Sequence, residues 1–433
     1  MRGPHPQSCA ILPLNAQTGG LILRNSQSEP RTFVGEPMAS ETSAFAPHWD
    51  LDPDCIYLNH GSFGACPRPV LQAQQRLRDR MESQPVRFLF REFEERWDKA
   101  RCELAAFVNC DPSDLVAVPN ATVGVNTVLR SLKLRKDDEI LVTNHEYNAC
   151  RNAVDAVAAQ AGATVVIAPI PFPLQSADEA LQAIFAGLSS RTRLVLVDHV
   201  TSQTALVLPV ARLIWELKKH HIETLVDGAH APGMVPVDLR ALGAAYYAGN
   251  CHKWLCAPKG AGFLFVRRDQ QEEVHPLAIS HGANSTRSDR SRFQLEFAWT
   301  GTFDPTPFLC VPDAIAFLGG LFPGGWPELM RANRLLAVQA RKALCDALGV
   351  APPCPEALLG SMAAVPLPDS RSEPPAPPLY CDPIQEELLR RFKIEVPVIP
   401  WPHHPHRLLR LSAQVYNTKV QYSVLADAVK AIT

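Results

Sequence analysis

The chain has 433 residues, 46% hydrophobic and 20% charged, which is enough for a large buried core and for more than one compact domain. Its 42 Lys and Arg nearly balance 44 Asp and Glu for a formal net charge of −2, which argues against a polyanion-binding surface and a nucleic-acid partner. No apolar run approaches the roughly 20 residues of a membrane helix, and the twelve cysteines show neither a CxxC pair nor zinc-ligand spacing. The expectation is a cytoplasmic protein with reduced thiols, no metal and no membrane partner.

In chain order, the first 28 residues hold Arg2 and Arg24 and no acid, and are read as the start of a disordered leader, 1–45, with a mitochondrial transit peptide as the alternative. The body opens near Trp49, where Ile56-Tyr57-Leu58 runs into Asn59-His60-Gly61-Ser62-Phe63-Gly64. Between Pro67 and Phe107, Leu71, Leu77, Met81, Phe90, Phe93, Trp97 and Leu104 recur at helical spacing and predict one or two long amphipathic helices. From Pro119 to Arg267, β-rich runs at 139–143, 163–167, 193–198, 222–227, 244–248 and 261–266 are separated mostly by helical stretches at 121–133, 147–161, 176–188 and 209–220. That alternation predicts an α/β fold with a mainly parallel sheet between helical layers, whose ligand binds at the carboxyl ends of the strands.

The Pro-rich tract 351–378 reads as an exposed or partly disordered insertion. Beyond it, helix 383–392, strands 394–399 and 407–412 and helix 418–431 predict a small α+β domain. The expected organisation is a large domain over 46–305, with segment 46–75 packing near a small domain over 306–433.

The chemistry-bearing residues fall at predicted strand ends. Val226-Asp227-Gly228-Ala229-His230 closes one strand and Gly249-Asn250-Cys251-His252-Lys253-Trp254 the next, so Asp227 and Lys253 converge on one crevice. An amine beside an acid suits a cofactor held as a Schiff base with a protonated pyridine nitrogen. Pro119-Asn120-Ala121-Thr122 opens a helix whose N–H groups and dipole favour a phosphate, and His252 is a further donor. His145 follows strand 139–143 and could stack on a ring, while Asp198 and Ser202 follow strand 193–198.

This ordered set resembles the class V aminotransferase-like pyridoxal 5′-phosphate (PLP) enzymes of fold type I, over roughly residues 50–430. The stretches 58–64, 198–202 and 249–254 are most similar to the isopenicillin N epimerase-like and L-cysteine desulfhydrase-like branch. The resemblance implies that Lys253 carries PLP, Asp227 pairs with the pyridinium and His145 stacks on the ring. It further implies that Ala121, Thr122 and His252 hold the phosphate, beside Asn120 at the same helix start, and that His230 approaches the 3-oxygen or the phosphate, while the strand-end position of Asp198 and Ser202 puts them near the 3-oxygen. Arg410 matches the arginine that clamps the substrate α-carboxylate, with Arg407 as the fallback and Asn59 and His60 completing the substrate side. Gly301 and Thr302 resemble the segment that reaches a neighbouring subunit's phosphate, which implies a homodimer.

Two departures bear on activity. Ser202 stands where the family's desulfurases carry asparagine, and no cysteine lies between Phe392 and Leu409 to form a persulfide. The run Pro402-His403-His404-Pro405-His406 has poor ligand geometry and reads as a loop, and Gly319-Gly320 lacks a nucleotide-binding context. The expected reaction is abstraction of an α-amino acid's Cα proton by Lys253. Elimination across a C–S bond is favoured over epimerisation, and epimerisation over transamination; a PLP-binding homologue without turnover is the non-enzymatic alternative.

Overall fold

The computed structural model describes residues 42–373 and 381–433. The leader up to residue 41, and residues 374–378 of the Pro-rich tract, lie outside the described residues. Residues 42–45, read as the end of that leader, belong to the folded body. Ser43 Oγ donates to Val415 O, and the Phe45 ring sits 4.9 Å from that of Phe322.

The strands in chain order are β1 (Ile56–Tyr57), β2 (Leu115–Val118), β3 (Glu139–Thr143), β4 (Thr164–Ala168), β5 (Thr192–Asp198), β6 (Glu223–Gly228), β7 (Tyr246–Asn250) and β8 (Gly262–Val266), followed by β9 (Met362–Leu367), β10 (Ile394–Glu395), β11 (Val398–Pro400) and β12 (Arg407–Ser412). Seven form one sheet in the order β2-β8-β7-β6-β5-β3-β4, in which β8 alone runs against its neighbours. β3, β6, β7 and β8 are buried almost throughout, as strands covered on both faces must be, and the middle of β3 and most of β8 are correspondingly continuous apolar runs. Because β2 is parallel to the majority, the helix start after it opens on the same edge as the ends of β3, β5, β6 and β7. Four residues are too few for β2 to show a period, and the sequence reading misses it.

Helices Ala121–Ser131, Asn148–Ala161, Ala177–Ala186 and Val210–Lys219 connect the strands within two residues of expectation. Local chemistry fixes their ends: Asn120 caps the first through Val123 N, Ser176 caps the third, and left-handed Gly162 stops the second. The amphipathic stretch divides into Arg68–Ser83 and Phe93–Phe107, joined by a wide turn on which Phe90 is 82% exposed. Phe93, Trp97 and Leu104 are buried.

Beyond these lies a three-stranded antiparallel sheet, β11-β12-β9, with helices Gly325–Leu348, Pro383–Phe392 and Lys419–Ile432. Here the Pro-rich reading is corrected: 362–367 is a largely buried strand, paired along its length with β12. Pro366 is tolerated because β9 is an edge strand with one unpaired side. The single strand predicted over 394–399 is broken around Pro397 into β10 and β11, which join different sheets. β10 pairs in parallel with β1, and Ser412 N donates to Leu58 O, so the opening segment of the body is tied to its C-terminal region. No described helix is long and apolar enough to cross a membrane.

Candidate active site

A cavity of about 360 Å³ lies at the carboxyl edge of the large sheet. Its walls include Asn120, Ala121 and Thr122 after β2, Asp198 and Ser202 at and beyond the end of β5, Asp227 and His230 at and beyond the end of β6, and Asn250, His252 and Lys253 at and beyond the end of β7. Gly64 lets the segment 58–64 lie against the lysine turn. Its φ is +70°, and a Cβ there would collide with the His252 carbonyl.

Lys253 Nζ is 3.0 Å from His230 Nε2, and His230 Nδ1 accepts from Trp254 Nε1 at 3.5 Å. With Nδ1 accepting, the ring proton is on Nε2 and points at Nζ, which must then offer a lone pair. Burial and then Arg410 bring the Lys253 pKa down to about 8, which enlarges the neutral, nucleophilic fraction over that of an ordinary lysine. Burial also holds His230 well below the usual imidazole range. Asp227 is fixed by Ala229 N to Oδ1 (2.9 Å) and Cys150 Sγ to Oδ2 (3.1 Å), and its pKa is raised by burial.

At the helix start, Ala121 N is taken by Asn250 Oδ1 at 2.8 Å and Val123 N by Asn120 Oδ1 at 2.9 Å. Asn120 thus shapes the helix start through its cap, while Thr122 lines the cavity at the same helix start. His252 donates Nδ1–H to Ala261 O at 3.1 Å, so Nε2 carries a proton only if the ring is cationic. Burial lowers its pKa to about 4, and a phosphate alongside would oppose that shift.

Arg410 is 3% exposed and lies behind Ser62 and Ser202, which line the cavity. Nη1 donates to Ser202 O (2.6 Å), Nη2 to Ser62 Oγ (2.8 Å) and more weakly to Asn59 Oδ1 (3.5 Å), and Nε has no partner among the described residues. A buried guanidinium whose hydrogen-bond partners include no carboxylate is a receptor for one. Burial lowers its pKa to about 10. The fallback, Arg407, is bound through Nη1 to both oxygens of buried Asp382 and serves the fold.

The structure places His145, His60, Asn59 and Thr302 off the wall of this cavity. His145 is fully buried and off the cavity wall: Nε2–H donates to Ile170 O (3.0 Å), Nδ1 accepts from Thr204 Oγ1 (2.7 Å), and the ring packs on Trp401. Tyr147, two residues on and absent from the sequence reading, is 42% exposed and lines the cavity, so the aromatic face at the end of β3 is Tyr147. Nearness to a strand end marks both residues, and only the path of the turn separates them. His60 does not touch the cavity either. It donates Nε2–H to Lys253 O (3.1 Å) and accepts from Tyr416 OH (2.8 Å), which makes it a brace for the lysine turn. Asn59 braces Arg410 while donating to Glu395. Thr302 is exposed and lies off the cavity wall of its own chain.

The residues present fit PLP: a buried lysine of lowered pKa, a buried acid at the end of the adjoining strand, a helix start for phosphate and an arginine with no carboxylate partner. The profile of the aminotransferase class-V family matches residues 56–298. The chain belongs to this family. Its members are PLP-dependent enzymes, C–S lyases and epimerases among them. The chain is 38% identical over 397 residues to isopenicillin N epimerase of Amycolatopsis lactamdurans, covering 88% of this chain and 96% of the relative. It is 30% identical over 408 residues to L-cysteine desulfhydrase of Arabidopsis thaliana, covering 86% of each. Among solved structures, a C-DES mutant with glycine covalently linked to its PLP cofactor superposes with a TM-score of 0.74 at 22% identity, over 87% of this chain and 97% of that one. The Escherichia coli cysteine desulfurase CsdA gives 0.72 at 22%, over 89% and 97%. These structures share the fold, including the parallel sheet and the smaller C-terminal sheet.

Proposed function

We propose that this class-V enzyme is a PLP-dependent lyase that cleaves the C–S bond of a small cysteine-like α-amino acid. The observation that carries the choice is the cavity: at about 360 Å³ it stands at the low end of ligand pockets and must take the cofactor as well as the substrate. Relatives named L-cysteine desulfhydrase support the same reading. Among the described residues no cysteine lines the cavity, which supports release of the sulfur directly and not its capture as a persulfide on the protein.

Lys253 would hold PLP, Asp227 would pair with its pyridine nitrogen, Thr122, Ala121 and His252 would receive its phosphate, and Asp198, Ser202 and His230 would lie toward its 3-oxygen. When bound, PLP supplies an electron sink that acidifies the substrate's Cα–H bond. Arg410 binds the α-carboxylate in place of its contacts with Ser62 and Ser202. The neutral Lys253 amine takes the Cα proton, and the resulting ammonium returns it to the departing sulfur. His230 keeps Nζ oriented through the transfer, and Tyr147 closes one wall against water. Thr302, exposed on its own chain, would serve the phosphate site of a second copy. Mixed dimers of Lys253→Ala and Thr302→Ala chains should then regain one functional site, whereas monomers by light scattering would exclude the arrangement.

Epimerisation is the second reading, favoured by the 38% identity to isopenicillin N epimerase. Incubation of the PLP-loaded protein with L-cysteine, cysteine conjugates and L- and D-amino acids, following sulfide, pyruvate and α-deuterium exchange together, decides between them. Sulfide with pyruvate supports the lyase. Exchange and racemisation without keto acid would replace it by the epimerase.

A further inference from the structure

Glu146, next to Tyr147, has no part in the mechanism above. It is 6% exposed, and neither carboxylate oxygen has a hydrogen-bond partner among the described residues. One of its oxygens, Cys150 Sγ and an oxygen of Asp227 lie within 4.8 Å of one another. Asp198, 2% exposed with Oδ2 unpartnered, is a third carboxyl group in the same region. No lysine or arginine forms an ion pair with any of the three among the described residues. Lys253 acts on Asp227 and Asp198, and Arg151 on Glu146, only across longer distances.

Carboxylates this close, shut away from water and without a paired cation, do not all ionise. The hydrogen bonds say where the charge goes. Asp227 accepts from Ala229 N at 2.9 Å and Cys150 Sγ at 3.1 Å, both of which favour its ionised form, whereas neither Glu146 oxygen has a well-formed hydrogen bond and, among hydrogen-bonding groups, only the backbone of Tyr147 acts to lower its pKa. We propose that Glu146 is the proton-carrying member of a carboxyl pair with Asp227, a positioning residue that leaves Asp227 ionised to face the cofactor's pyridine nitrogen. Burial first, and Asp227 second, push Glu146 well above the ordinary carboxyl range, in the same direction. The cofactor's place in this inference rests on the proposed PLP site, but the pair belongs to the protein itself and is testable without PLP.

The test is infrared spectroscopy of the full-length apoprotein and holoprotein at neutral pH in H₂O and D₂O. A deuterium-sensitive carboxylic-acid C=O band is expected in both, weakened in Glu146→Gln and retained in Glu146→Asp. Glu146→Gln, which keeps the neutral shape, should bind PLP within about twofold of wild type. The visible band of the loaded wild type should show a pH-dependent step that the Glu146→Gln band lacks. A wild-type protein without the band overturns the proposal, as does a band that survives Glu146→Gln undiminished and vanishes in Asp227→Asn or Asp198→Asn. Failure of the wild type to bind PLP would instead remove the cofactor reading, while the apoprotein spectrum still decides the pair.

Discussion

The two halves of the site are built differently. On the cofactor side, Thr122, Asp198, Asp227 and Lys253 each sit just beyond or at the end of a strand of one sheet, and each is placed by its own strand and following turn. On the carboxylate side, Arg410 is held between Ser62 and Ser202, residues 348 and 208 positions away in sequence, and the segment carrying Ser62 is anchored by the pairing of β1 with β10. The first half follows from local rules repeated along a parallel sheet. The second exists only when distant parts of the chain are folded together.

This contrast predicts separable losses. Lys253→Ala should abolish the visible band of the lysine-bound cofactor and lower turnover by roughly 10³-fold, as measured by absorbance and sulfide release. Arg410→Met should leave that band intact and reduce kcat/KM for α-amino acids by about 10²-fold; loss of the band instead would join the two halves into one unit. Tyr147→Ala should weaken PLP binding about tenfold through the lost ring contact, measured by equilibrium titration. His145→Gln should leave the band unchanged and lower unfolding free energy by about 1–3 kcal/mol, read from urea melts, since only buried hydrogen bonds are lost. A spectral shift in His145→Gln with none in Tyr147→Ala would reverse the assignment of the aromatic wall.

The amine also has a pH signature. Only neutral Lys253 attacks PLP, and because burial and Arg410 depress its pKa, the rate of PLP loading onto apoprotein should rise with pH and be half-maximal near 8. An ordinary exposed lysine would reach that point above pH 10. Arg410→Met, by removing a positive neighbour, should move the midpoint upward, a smaller effect that links the halves electrostatically.

Much of the large sheet was legible because buried parallel strands are written as short continuous apolar runs and helices as amphipathic ones capped by Asn120, Ser176 and Gly162. β9 was not, since Pro366 within a proline-rich tract looks like loop composition until the edge position makes it permissible. His145 and Tyr147 were indistinguishable by spacing, and His60 looked like a substrate residue because an imidazole brace and an imidazole ligand have the same sequence signature.

The sequence by itself determined the α/β alternation, the lysine and acid at adjoining strand ends and the helix start for a phosphate, because strand-to-helix turns are local and their residue preferences are strong. Tertiary structure alone decided that Tyr147 and not His145 faces the cavity, that Arg410 and not Arg407 is the buried cation without a carboxylate in its hydrogen-bond cradle, and that Glu146 lies beside Asp227. These depend on which groups meet across the fold, and burial, charge and hydrogen bonding between distant residues have no period along the chain.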